Sequence, residues 1–309
     1  MNYSAFQNAV VEKMRLFMGK EYDVTIREVR KNNGVLLKGL VISGKESDIS
    51  PTIYLESFYE AYLQGMPIQD LFAQIYKIYD ENHLEGRFNF SFFEDYEKVR
   101  PRIFEKVINF EQNKDFLSNI PHKRFLDLAV VCYCVYMNDL MGKGSIQIDR
   151  SFISEWGITE EQLFRDAADN TACKLGVDVR DMQDMLFDMI LEQKDIDSVE
   201  EAEKIREELT TGEAIAPMYV MTLKGCYFGA ACICHEEWME DFYKKVKMGF
   251  YILPSSIHEL ILIPMEGAGS AKRLQEMVKD VNESSVSPEE RLSDNVYYYN
   301  PETQRVELT

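Results

Sequence analysis

Histidine, clustered positive charge and long uncharged runs are what this 309-residue chain has least of. With four histidines and no H-E-x-x-H spacing, there is little material for a multi-histidine metal centre. The longest uncharged apolar runs, residues 128–137 and 214–223, fall well short of the roughly 20 residues that a membrane-spanning helix needs. The N-terminal segment carries Glu12 and Lys13 where a secretory signal would be uncharged. The expectation is a soluble, cytoplasmic protein with no membrane partner.

Acidic residues outnumber basic ones, 53 to 34, for a net charge of −19. The densest basic group, Lys244, Lys245 and Lys247, sits beside Glu236, Glu237, Glu240 and Asp241. A nucleic-acid backbone would be repelled by such a surface, so a protein partner is expected over a nucleic acid. Much of the excess falls in residues 149–213, with 19 Asp or Glu against 7 Lys or Arg. A run of this kind reads as a solvated helical face.

Catalytic signatures are absent too. There is no G-x-x-x-x-G-K-[ST] phosphate loop and no G-x-S-x-G elbow. Gly267-Ala268-Gly269-Ser270 could present amides to an anion, but reads as a turn in which Ser270 caps the next helix. The six cysteines lie inside apolar segments, as reduced core thiols do. Cys232-x-Cys234-His235 and Cys132-x-Cys134 have the wrong spacing for zinc, which favours C-x₂₋₄-C with a second pair elsewhere. No metal and no cofactor are expected.

What the chain does contain is an α+β pattern. Phe6, Val10, Met14 and Phe17 predict one face of an N-terminal helix. YDVTIREVRK and VLLKGLVIS flank Asn32-Asn33-Gly34 as a β-hairpin. Two aromatic helices follow, with stripes of Leu55, Phe58, Tyr59 and Tyr62, then Leu71, Ile75, Ile78 and Tyr79, read as core and not as a groove. A central mixed region has a strand at 101–110, a short helix, a long β-rich run at 123–137 whose start is capped by His122, and a short strand at 144–148. Thr159 to Gln162 forms a capping box for a helix whose Ala167, Ala168, Asn170 and Thr171 allow close packing. Residues 177–212 favour helix, with Met182, Met185, Leu186 and Met189 facing inward. Gly212 marks a boundary, giving regions 1–212 and 213–309, or one continuous domain. The second is a ββαββα unit, including a strand at 226–234, plus a terminal hairpin.

The densest group of reactive side chains is in GFYILPSSIHELILIP, residues 249–264, where two apolar strands meet at Pro254-Ser255-Ser256-Ile257-His258-Glu259. A serine nucleophile needs a base held by a third group, and His258 and Glu259 are the right types. On an extended strand Ser256 and His258 share a face while Glu259 points away, so the catalytic candidates are Ser256 and His258, with Ser255 and Glu259 nearby. The competing reading is a tight turn whose serines satisfy backbone groups.

Several stretches together resemble an uncharacterised bacterial family, a domain of unknown function from gut Firmicutes, over nearly the full length. They are Lys31-Asn32-Asn33-Gly34-Val35, Ser50-Pro51-Thr52-Ile53-Tyr54-Leu55-Glu56, Phe125-Leu126-Asp127-Leu128-Ala129, Ala168-Asp169-Asn170-Thr171, Gly229-Ala230-Ala231, Leu253-Pro254-Ser255-Ser256-Ile257-His258-Glu259 and Leu292-Ser293-Asp294-Asn295-Val296-Tyr297. The resemblance implies a self-contained bacterial cytosolic protein and supplies no activity, cofactor or site.

The reading the residues favour is a cytosolic, non-enzymatic binding or interaction protein, regulatory or linked to mobile elements. A hydrolase using Ser256 and His258 is the first alternative. The second is an acidic polyanion mimic that binds basic partners through a contiguous carboxylate stripe.

Overall fold

A computed structural model describes residues 1–44, 50–83, 90–138, 142–194, 216–225, 228–254 and 256–309. The boundary expected at Gly212 lies outside the described residues. By contacts the chain forms two compact units, 1–99 with 135–146 and 100–134 with 147–309.

In the first unit, α1 (Tyr3–Met18) starts where the Asn2 side chain accepts the Ala5 N–H and ends at Gly19, whose positive φ of 82° suits a residue without a Cβ. Phe6, Val10 and Met14, one helical repeat apart, are buried. Phe17, expected on the same face, is instead exposed and meets Tyr76 edge-on at 4.5 Å. The hairpin of β1 (Tyr22–Arg30) and β2 (Leu36–Gly44) turns through Asn33 and Gly34, both at positive φ. β3 (Thr52–Tyr54) adds to β2, and α2 (Glu56–Leu63) and α3 (Ile68–Asn82) follow. Glu56 Oε1 ties this layer together, accepting the Lys38 N–H at 2.7 Å and the Tyr3 hydroxyl at 2.9 Å. The aromatic stripe of α2 packs on the core built from Phe6, Leu40, Ile42, Leu71 and Ile75. A four-residue α4 (Tyr96–Val99) closes this run of the chain.

The second unit begins with β4 (Ile103–Asn109), which is almost wholly buried, and the short α5 (Lys114–Leu117). The long β-rich run is two strands, β5 (His122–Phe125) and β6 (Leu128–Asn138), because the chain reverses at Leu126 with φ 54°. The strand order is β4-β6-β5; β7 (Gly142–Gln147), which pairs with β6, falls almost wholly within residues 135–146 of the first unit. Helices α6 (Arg150–Trp156) and α7 (Glu160–Asn170) follow, the latter capped by Thr159 as the spacing predicts. A π-helical turn, Thr171–Leu175, continues α7, and Asn170 Nδ2 donates to the carbonyls of Arg100 (2.7 Å) and Ile103 (3.0 Å).

Three local expectations are corrected in this unit. Residues 177–181 are a strand, β8 (Val177–Asp181), since Val177 and Val179 alternate with polar residues at period two. In α8 (Met182–Lys194), Leu186 and Met189 face solvent, because apolar residues surround this helix and cannot all turn inward. The strand expected at 226–234 is a 3₁₀ turn, Gly229–Cys234, and Cys226 lies outside the described residues. Short apolar runs do not distinguish strand from helix by period. Contact decides here: a Cβ on Gly229 would stand 1.9 Å from Thr222 Oγ1 and 2.3 Å from the His258 carbonyl oxygen.

The rest is β9 (Tyr219–Leu223), α9 (Glu236–Val246), β10 (Phe250–Leu253), β11 (Leu260–Pro264), α10 (Ala271–Ser284), β12 (Tyr297–Asn300) and β13 (Arg305–Leu308). With β8 these strands form one antiparallel sheet in the order β13-β12-β10-β11-β9-β8. The terminal hairpin pairs Tyr297 with Leu308 as expected. The fold is α+β.

Candidate functional site

The reactive cluster occupies the link between β10 and β11, since pairing runs from Leu253 to Ile261 and leaves the residues between as a loop. Ser256 is not on a continuing strand; it makes an isolated bridge to Arg291 and is buried. Its Oγ accepts the backbone N–H of His258 at 2.9 Å, a local turn bond that engages a lone pair of the hydroxyl. The Ile257 N–H donates to the Glu290 carbonyl at 2.9 Å, and the Pro254 carbonyl accepts from the Ser293 N–H at 3.0 Å. The loop is thereby stitched to residues 290–293.

The His258 ring turns to other partners. Nε2 lies 3.4 Å from Glu290 Oε1, with the side chains 32% and 44% exposed. The ring stacks on Phe228 with centroids 5.8 Å apart and planes 15° from parallel. Phe228 in turn carries the Lys106 ammonium 4.0 Å from its centroid and meets Tyr133 edge-on at 4.9 Å. Phe228 sits at φ 52°, a left-handed conformation rare for an aromatic residue, so its placement is set by these contacts. The sequence candidates thus divide: Ser256 binds the backbone of His258, while the imidazole pairs with Glu290. Glu259 is half-buried, without a hydrogen bond or ion pair among the described residues, and Ser255 lies outside them.

A second histidine sits deeper. His235 Nε2 is 3.1 Å from Glu105 Oε2, with both side chains less than a tenth exposed. The approach is off the line a hydrogen bond requires, so the two enclosed side chains touch without sharing a hydrogen bond. His235 is the N-cap residue of α9 and stacks on Trp238 at 4.1 Å. The positive end of that helix favours a nearby carboxylate. Glu105 pairs across the sheet with Cys132, and burial followed by this carboxylate pushes the thiols of Cys132 and Cys234 well up. Burial alone raises Cys134, to about 12, against a small pull from Arg102. Such thiols stay protonated and unreactive at neutral pH. Among the described residues, no group of three His, Cys, Asp or Glu side chains is arranged to hold a metal.

Asp127 forms the third polar centre, which sequence reasoning passed over. At the β5–β6 reversal its Oδ2 accepts from Ser293 Oγ (2.7 Å) and Asn295 Nδ2 (2.9 Å), and its Oδ1 accepts from the Tyr297 hydroxyl (2.6 Å). Burial first, then this carboxylate, drives the Tyr297 phenol far above its ordinary pKa. Asn109 Nδ2 adds a bond to the Leu292 carbonyl at 3.0 Å, and Asn282 Nδ2 one to Ser293 O at 3.1 Å. Aspartate, serine, asparagine and tyrosine here fix one loop against another.

These anchors carry the stretches Phe125 to Ala129 and Leu292 to Tyr297 that signalled a family. A family model described as a family of unknown function, DUF5688, matches residues 3–301. The chain belongs to DUF5688. No curated protein and no solved structure matches it. Within this DUF5688 chain a groove of about 600 Å³ lies along α10, lined by Ala216, Met218 and Ile263 and, on the helix, by Met277 and Val281. A smaller hollow of about 270 Å³ lies at the end of α7, where Lys174 Nζ donates to the Pro101 carbonyl at 2.6 Å. The described carboxylates of the acidic block are divided among α6, α7, β8 and α8. Among the described residues no helix is long and apolar enough to cross a membrane.

Proposed function

We propose that this is a bacterial cytosolic protein that acts by binding another protein and not by catalysis. The observation that carries the reading is the hydrogen bond from the His258 backbone to Ser256 Oγ, together with the turn of the imidazole toward Glu290 and Phe228. A serine–histidine nucleophile needs its hydroxyl on the imidazole, with a third group orienting the ring. Here the hydroxyl shapes the loop. Burial of the Glu105–His235 pair supports the same reading, because a general acid or base must reach its substrate. The free thiols at Cys132, Cys134, Cys173, Cys232 and Cys234 support a reducing compartment.

The test is turnover of p-nitrophenyl acetate, p-nitrophenyl phosphate and a casein substrate by the full chain. The expected result is no turnover above that of the Ser256→Ala and His258→Ala variants. Turnover that either substitution abolishes would establish the hydrolase instead.

A further inference from the structure

The groove along α10 combines an apolar floor with an acidic rim. Ala216, Met218, Ile263 and Ala268 line the floor. Met277 and Val281, 39% and 40% exposed, continue the apolar surface onto α10. Four residues along the helix from one to the next, Glu276 and Asp280 occupy the same side. Among the described residues neither carboxylate has a hydrogen-bond or ion-pair partner on its side chain, and Arg273 stands about one turn before Glu276 and two before Asp280. In the reactive loop, by contrast, Ser256 and His258 already have partners.

We infer that this groove takes an extended peptide segment of a partner protein, three or four residues long, with an apolar anchor flanked by lysine or arginine. This rests on the binding reading and names its partner chemistry. Length follows from geometry: Arg273 to Asp280 spans about 10 Å at about 1.5 Å per helical residue, which about three extended residues match. Sign follows from the rim, where two carboxylates face one guanidinium, on a chain of net charge −19. Exposed Met277 suits an apolar anchor, since an unbranched thioether side chain adapts to different shapes.

The experiment is fluorescence anisotropy of the full chain with a labelled hexapeptide of alternating leucine and lysine, and with its leucine–glutamate counterpart. The lysine probe should bind and the glutamate probe should not. Glu276→Gln with Asp280→Gln should weaken binding about tenfold or more, whereas Glu12→Gln with Glu60→Gln, which removes the same charge elsewhere, should change it less than about twofold. Met277→Ser, at an exposed position, should weaken it without unfolding the chain, as circular dichroism would verify. No binding of the lysine probe, or equal weakening by both pairs of glutamine substitutions, would overturn the proposal. Failure of the peptide with no turnover in the hydrolytic assays removes the groove's ligand class and leaves the binding reading. Turnover dependent on Ser256 removes that reading whatever the groove binds.

Discussion

Replacing Asp127 by alanine removes the acceptor for three donors at once. Two of those donors, the Ser293 hydroxyl and the Tyr297 phenol, belong to buried residues, and Tyr297 is fully enclosed. Each hydrogen bond to a carboxylate contributes about 1.5–3 kcal/mol, and a buried donor left without a partner costs about 1–3 kcal/mol. The three are not additive, since Asp127 is half-buried and water can reach part of the gap. Asp127→Ala should therefore destabilise the unit by about 3–5 kcal/mol. Tyr297→Phe leaves Asp127 two donors and should cost about 1–2 kcal/mol.

Both tryptophans, Trp156 and Trp238, lie in residues 147–309, so urea unfolding followed by tryptophan emission reports on this unit. With a slope of about 2–3 kcal/mol per molar urea, the Asp127→Ala midpoint should fall by roughly 1–2 M at unchanged slope. In the double variant the phenol and its acceptor vanish together, so its cost should be less than the sum of the singles by about 1–2 kcal/mol. Additive costs, or an Asp127→Ala loss below about 0.5 kcal/mol, would refute the claim that these groups act as one network.

Gly229→Ala should be far more disruptive than its size suggests, because the added Cβ meets the backbone at His258 O and Leu223 N at 2.3 and 2.7 Å; recovery of soluble protein should drop sharply, and wild-type stability would contradict the packing. His235→Ala strands the Glu105 carboxylate in the interior and should cost about 3–5 kcal/mol in the same urea assay, with much of that loss absent when Glu105 and His235 are both leucine. The thiols of Cys132, Cys134, Cys232 and Cys234 have raised pKa values, so the folded state keeps protons that the unfolded chain releases above its ordinary thiol pKa near 9. Stability should accordingly fall as pH rises past about 9, by about 1.4 kcal/mol per pH unit for each thiol until its folded pKa is reached, and Cys134→Ala should flatten that fall.

The N-terminal helix, its hairpin and the aromatic helices were legible because each shows a period or a turn signal that local chemistry decides. Asn33-Gly34 can take positive φ, and Phe6, Val10 and Met14 recur at helical spacing. At 226–234 the same logic fails, because the close approach of Gly229 to Thr222 and His258 is a long-range fact with no local period. For Ser256 and His258 the sequence left two arrangements open, an extended strand with both on one face and a tight turn whose serine serves the backbone; in the structure the Ser256 hydroxyl accepts from the following backbone, as in the turn. Glu105 did leave a signal, the one carboxylate in the strand Ile103–Asn109, but its partner His235 lies 130 residues away and only the fold brings them together.

Several of the stretches that carry the family resemblance are places where side chains hold turns. Asp127 joins Phe125 to Ala129 with Leu292 to Tyr297; Gly229 and Ala230 join the loop at Ile257 and His258; Asn170 binds the start of β4. A resemblance that rests on such residues speaks for a frame and says little of a reaction. Arg273, Glu276, Met277 and Asp280 fall outside every one of those stretches, and their side chains support no turn. If the frame presents the groove, chains that share the anchors should be free to differ along α10, and partner preference should follow the charge at positions 276 and 280. Exchanging both carboxylates for lysine should then reverse the choice between the lysine and glutamate probes while the urea midpoint stays where it was.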